Sequence, residues 1–248
     1  MTAIKFLKTL TFSAVSVALA FAIALSAPQI HNSYLRSEVG DSVVQVLKVG
    51  SRGGGTGFAV QSTSGKDYIA TNAHVCALAT PAGWMRIKSD RGFESFKKVI
   101  YVDKKHDICL IEGDRRLDAL DLGSAPKKGE QHWIVGHPGL RQLTVSQGEF
   151  IGMDSVQLAK KVNSEAECNG EFIELEGLQA YFFGSRYACI VTFASYGTTA
   201  VAYGGNSGSP VVNKYGNVIG ILFAGSTEQE RDNHVVPLPE LKRVLRLF

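Results

Sequence analysis

The sequence predicts a mostly-β chain, on three observations. Short apolar runs rich in Val, Ile, Phe and Tyr recur along it, separated by polar turns of the kind that bound strands. Twenty-six glycines against seven prolines favour many turns. One stretch near the C-terminus has helical spacing, with apolar residues at Leu241, Val244, Leu245 and Phe248. A hydrophobic share of 45% and a charged share of 20% over 248 residues suit a globular chain of one domain or two small subdomains. No period of ~20 to 50 residues repeats.

Met1 to Ala27 opens on Lys5 and Lys8 and runs apolar from Leu10 to Leu25 through small residues such as Ala18, Ala20, Ala22 and Ala24. This is the pattern of an export signal, with Ala22-Ile23-Ala24 or Ala24-Leu25-Ser26 as a cleavage site and Pro28 ending any helix. The run is short for a membrane span, which takes about 20 apolar residues; left uncleaved, it would be an anchor through residues 10–27. Export to the periplasm or medium is the expectation. The formal charge of +3 includes Lys5 and Lys8 and gives no reason to expect a nucleic-acid partner.

Residues 28–40 read as a linker, and the folded domain as residues 41–248. Ser42 to Leu47 is a first strand. The loop Gly53-Gly54-Gly55-Thr56-Gly57 lacks the Gly-Lys-Ser/Thr ending of a phosphate cradle and runs into Phe58-Ala59-Val60, so it reads as a close approach of two hairpins. Tyr68 to Thr71 is a strand, Asn72 to Leu78 a short helical turn, and Met85 to Lys88, Phe96 to Val102 and Ile108 to Ile111 further strands. Gly123 to Gly129, with Pro126, divides the chain. Beyond it, strands are expected at His132 to Val135, Leu143 to Ile151, Phe172 to Leu175, Ala180 to Phe183, Cys189 to Phe193, Pro210 to Asn213 and Val218 to Phe223. A closing helix covers about 238–247.

Gly204-Gly205-Asn206-Ser207-Gly208-Ser209-Pro210 sets one serine in a glycine-dense turn before an apolar run. A serine that attacks a carbonyl needs backbone N–H groups aimed at the developing oxyanion, and such a turn is crowded for residues with a Cβ. Upstream stand Ala70-Thr71-Asn72-Ala73-His74-Val75 and His106-Asp107-Ile108, so a base, an acid and a nucleophile follow in the order His, Asp, Ser. From about Gly53 onward these segments resemble the trypsin-like serine proteases, and their wording is closest to the HtrA/Deg-like bacterial branch. The resemblance is weak between Asp154 and Thr199. It implies two six-stranded antiparallel barrels, about 41–122 and 130–236, and a C-terminal helix. With the sequence ending at Phe248, the PDZ domain that many of those proteins carry is not expected.

The resemblance further implies a serine endopeptidase acting on polypeptides through an acyl-enzyme. Ser207 would be the nucleophile, His74 the base and Asp107 the acid that orients it. The Gly205 and Ser207 N–H groups would bind the oxyanion. Val201 and Ala202 would floor the primary pocket, with Phe223, Ala224 and Gly225 along its wall. No cofactor or metal is expected, as neither HExxH nor a CxxC pair occurs. His106, His132 and His137 read as surface or turn residues, and Asp103, before Lys104-Lys105, as part of a solvated turn. Asn206 replaces the aspartate that pairs with a new N-terminus in digestive zymogens, so no clipping is expected and side-chain hydrogen bonds from Asn206 would hold the turn.

Two other readings stand beside this one. One is a catalytically silent binding module of the same fold. The other is an α/β-hydrolase esterase, disfavoured because Ser209 stands where its elbow needs glycine and its triad runs Ser, acid, His. The four cysteines allow three pairings. Cys168 with Cys189 is the natural pair, clipping a hairpin of Glu171–Leu175 and Tyr181–Phe183. Cys76 and Cys109, each two residues past His74 and Asp107, are either a second bridge or two buried thiols. The acidic residues Glu165, Glu167, Glu171, Glu174 and Glu176 read as a solvated hairpin face.

Overall fold

The computed structural model describes residues 29–168, 170–225 and 233–248. The export segment, Met1 to Ala27, lies outside the described residues. Residues 29–38 are helical (α1), which corrects their reading as a linker. Leu35 and Val39, four apart and so on one helical face, are buried in the main core, and the His31 ring lies 4.5 Å from that of Trp133. So few apolar positions in a polar stretch gave too weak a period to read as a helix.

The first half comprises β1 (Val43–Leu47), β2 (Gly54–Gln61), β3 (Asp67–Thr71), the single turn α2 (Ala73–Cys76), β4 (Trp84–Ser89), β5 (Glu94–Asp103) and β6 (Ile108–Glu112). The strands close into a barrel of order β1-β2-β3-β6-β5-β4, all pairings antiparallel. Side chains alternate across a strand. Val44, Val46, Ile69, Met85, Ile87 and Ile111 accordingly fill the barrel, while Val43, Phe58, Tyr68, Ala70, Ile108 and Leu110 join the core shared with the second half. Burial on both faces explains why β3 and β6 read as continuous apolar runs.

The second half comprises β7 (Gln131–Gly136), β8 (Thr144–Lys161), β9 (Glu171–Glu174), α3 (Gly177–Phe183), β10 (Tyr187–Thr198), β11 (Pro210–Val212), β12 (Val218–Gly225), β13 (Asn233–Pro237) and the closing helix α4 (Leu238–Leu245). Its sheet has seven strands in the order β13-β12-β11-β7-β8-β10-β9. Tyr196 to Thr198 of β10 also pair with Asn233 to Val235 of β13, which joins six strands in a ring and leaves β9 outside it. The expected strand at Ala180–Phe183 is instead α3, ended by Gly184 in the left-handed conformation that stops helices. β13 was not anticipated, because it is short and runs into Pro237 and Pro239, which read as breakers.

Both disulfides form, Cys168–Cys189 and Cys76–Cys109. The first ties the segment before β9 to β10, across a separation of 21 residues. Replacing both cysteines by serine is expected to lower unfolding free energy by about 3 kcal/mol in the chain-entropy picture. Urea titration of the oxidised and variant proteins checks this, and equal midpoints would refute it.

α4 buries Leu238, Leu241, Val244 and Leu245, each worth about 2 kcal/mol when taken from water. It also reaches the first barrel. Arg243 pairs with Asp103 at the end of β5, and the Phe248 ring lies 5.4 Å from Tyr68 and 5.6 Å from Tyr101. Asp103 is thus not a solvated residue. Burial alone would raise its pKa, but hydrogen bonds from His106 and Arg243 outweigh burial and hold it below the ordinary carboxylate range.

Candidate active site

Three segments meet where the two halves join. β3 delivers Thr71, buried Asn72 and then α2 with His74; Asp107 stands just before β6. Asp107 has φ 54°, a left-handed backbone that Asp tolerates better than most residues. Asn72 Nδ2 donates to the Asp107 carbonyl at 3.1 Å and pins that turn. The buried carboxylate then faces two donors of one residue. Oδ2 lies 2.8 Å from His74 Nδ1, and Oδ1 accepts the His74 backbone N–H at 2.9 Å. With the Nδ1 proton directed at the carboxylate, Nε2 is left as the free base. The His74 side chain is 48% exposed, so that nitrogen is open to a reactant. The Cys76–Cys109 bridge ties the two segments together two residues beyond each group.

The serine turn comes from the other half and is gripped by Thr56 of β2. Thr56 N–H donates to the Ser207 carbonyl at 2.7 Å, its Oγ1 donates to the Gly205 carbonyl at 2.8 Å, and the same oxygen accepts the His137 N–H at 3.1 Å. Gly208 has φ 88°, and a Cβ there would stand 2.1 Å from the Thr56 carbonyl oxygen, so only glycine fits. A Cβ on Gly55 would stand 2.5 Å from the Ser207 carbonyl oxygen and 2.7 Å from a methyl of Val75. One missing methyl group therefore separates the serine turn from the neighbour of His74. Ser207 Oγ and His74 Nε2 make no hydrogen bond to each other among the described residues.

Gly139 N–H donates to the Gly204 carbonyl at 2.5 Å. In a planar trans peptide the N–H points opposite to the C=O, so the Gly205 N–H is turned away from Gly139. Neither it nor the Ser207 N–H donates to a partner among the described residues. Asn206 is buried, but its Oδ1 has no partner among the described residues; backbone bonds from Asn206 N–H to Tyr203 and from Ser209 N–H to Asn206 hold the turn instead. That corrects the expected side-chain role of Asn206.

Of the three histidines expected at the surface or in turns, His106 lies in the turn between β5 and β6 and His137 in the turn after β7, whereas His132 lies within a strand. His137 is fully buried beneath Gly205; its Nδ1 donates to the Arg141 carbonyl at 2.9 Å, and burial lowers its pKa. His132 is buried in β7, where burial lowers its pKa to about 4. His106 pairs with Asp103 at 2.9 Å. Of the residues expected at the primary pocket, Val201 and Ala202 are half-buried, and the Phe223 side chain packs into the core 5.0 Å from Phe193. Asn233, opposite Gly225 in the β12–β13 pairing, is buried and bonded through Nδ2 to the Ala200 carbonyl at 2.7 Å, next to Val201 and Ala202. Sequence reasoning missed Asn233, and only the unread strand β13 would have signalled it. Among the described residues no cluster of metal-binding side chains occurs and no helix is long and apolar enough to cross a membrane.

A β-barrel pair with an imidazole–carboxylate contact from one half and a glycine-set serine from the other defines the serine-peptidase class of architecture. The chain belongs to the trypsin-like peptidase domain family, whose model matches residues 55–221. It is 28% identical over 184 residues to the pro-apoptotic serine protease NMA111 of Meyerozyma guilliermondii, covering 71% of this chain and 16% of that protein. With the protein of the same name from Eremothecium gossypii it shares 30% over 198 residues, 77% of this chain and 17% of that one. The chain thus spans about a sixth of the length of these relatives. In fold it is similar to the Rv3671c protease from M. tuberculosis in its active form, with a TM-score of 0.63 and 19% identity over 86% of this chain and 83% of that one. The HtrA-type protease AlgW with a tripeptide gives the same TM-score and 19% identity over 87% of this chain and 62% of that one.

Proposed function

We propose that the protein is a serine endopeptidase in which Ser207, His74 and Asp107 act as one unit. The observation that carries this reading is the double hydrogen bond of Asp107 to His74, set against a serine turn whose Gly205 and Ser207 N–H groups donate to no partner among the described residues. His74 Nε2 takes the Ser207 proton as Oγ attacks the scissile carbonyl. Asp107 stabilises the imidazolium, and the Gly205 and Ser207 N–H groups receive the oxyanion. His74 then protonates the leaving amine, and water, activated by the same nitrogen, hydrolyses the acyl-enzyme. Labelling by a fluorophosphonate, lost in Ser207→Ala, tests the assignment; equal labelling of the variant would refute it. Export ahead of disulfide formation accords with two bridges in the fold.

Specificity follows from the pocket. Among the described residues, Val201 and Ala202 bring no carboxylate there. A basic side chain would be buried without a partner among the described residues, at several kcal/mol. Cleavage after small or medium apolar residues is expected, with the Phe223–Gly225 edge pairing with extended substrate backbone. A peptide-library profile dominated by Arg or Lys at the cleaved position would overturn this.

A further inference from the structure

Next to the oxyanion turn lies a basic groove that the chemistry above does not use. One part, about 610 Å³, is lined by Arg36, Gln45, Lys88, Asp90, Leu140 and Arg141. An adjoining part shares Gln45, Lys88 and Leu140 and adds Arg52, Gly53 and Arg86. Arg86 is engaged by Glu94 at 3.0 Å. Asp90 already accepts the Leu143 N–H at 3.1 Å and lies 3.8 Å from His137. Arg36, Arg52, Lys88 and Arg141 are exposed and have no ion-pair partner among the described residues. Four uncompensated cations thus face one carboxylate that is already in use.

Sheet order fixes which part of a substrate this groove meets. β11, which follows the serine turn directly, lies between β12 and β7. The Phe223–Gly225 end of β12, where the acyl part of a substrate pairs, is therefore on one side of Ser207. The turn after β7, residues 137 to 141, is on the other, and its Gly139 and Leu140 both abut Gly205 and line the groove. The segment Ser51 to Gly53 leads from the groove into Gly55, against Ser207. A peptide laid through the site passes its leaving-group end into the cations.

Resting on the endopeptidase reading, we infer that the protein selects substrates carrying Asp or Glu within the first few residues after the scissile bond, held by Arg52, Lys88 and Arg141. Each exposed pair is worth up to about fivefold, so two or three engaged pairs give roughly tenfold in kcat/KM. About 1 M salt, where screening acts within ~3 Å, removes most of it.

The test uses peptides identical up to the cleaved bond, with Asp, Ala or Lys at the second and third positions after it. The expected order in kcat/KM is Asp over Ala over Lys, and Arg52→Glu with Arg141→Glu reverses it. Lys127→Glu with Lys128→Glu, the same change of net charge in the exposed linker, keeps the original order. Equal rates, a preference for Lys, or an Asp preference that survives the arginine changes would overturn the inference. Anisotropy of the same peptides, labelled, on Ser207→Ala protein reads the groove without turnover, and binding indifferent to charge would also overturn it. Fluorophosphonate labelling reads the endopeptidase assignment separately, so its failure is distinguishable from failure of the groove.

Discussion

Asp107→Asn is expected to lower kcat by about 10⁴ while leaving the protein folded, and the reason lies in the two bonds the carboxylate makes. One acceptor position is taken by the His74 backbone N–H. An asparagine must place its amide oxygen there, which turns its NH2 toward His74 Nδ1. Nδ1 then has to accept, the proton moves to Nε2, and the base is in the wrong tautomer with no charge to stabilise its imidazolium. Asn tolerates the left-handed backbone at this position nearly as well as Asp, so shape and charge are separated by the substitution. Ser207→Ala should abolish the acylation burst, and His74→Ala should lower kcat by up to about 10⁶, as for residues that act only as a unit. Steady-state and burst kinetics measure all three. Near-normal proteolysis by His74→Ala would end the assignment.

Gly55→Ala is expected to lower kcat by at least ~10², without touching any group that does chemistry. The added methyl would sit 2.5 Å from the Ser207 carbonyl oxygen and 2.7 Å from a Val75 methyl, and the backbone contact with Ser207 is one that no rotamer relieves. Either the Thr56–Ser207 hydrogen bond lengthens or α2 moves outward with His74. A shift of about 1 Å between nucleophile and base is enough for this loss, and overpacking of this kind destabilises by about 1–3 kcal/mol. Turnover and thermal unfolding of the same sample separate the two effects: a folded protein with unchanged kcat would show that Gly55 does not set the spacing.

The strand set of the first half was legible because its residues are apolar on both faces, as at Tyr68-Ile69-Ala70, and glycine turns bound them. The second half was read less well. β8 runs to Lys161 through Asp154, Ser155 and Gln157, whose side chains point to solvent beyond the core and leave no apolar run. α3 carries Leu178 and Tyr181 exposed, so its apolar residues mimicked a strand. At the candidate site, His74, Asp107 and Ser207 stand out in the sequence because each sits in a local motif of a few residues. Thr56, His137 and Asn233 do not, since their roles come from partners far along the chain, such as Gly205 for Thr56 and Ala200 for Asn233.

The grip of Thr56 on the serine turn spans 149 residues of chain, and contacts of such separation form late because the intervening loop must first be ordered. Each half can therefore regain its own strands while the turn is still loose. In refolding, the far-UV circular dichroism of the strands should recover before fluorophosphonate reactivity does. The lag amounts to self-protection: a chain that has not finished docking its halves is unable to cut its unfolded neighbours, so hydrolytic competence arises only when the molecule has ceased to be a good substrate for its own kind.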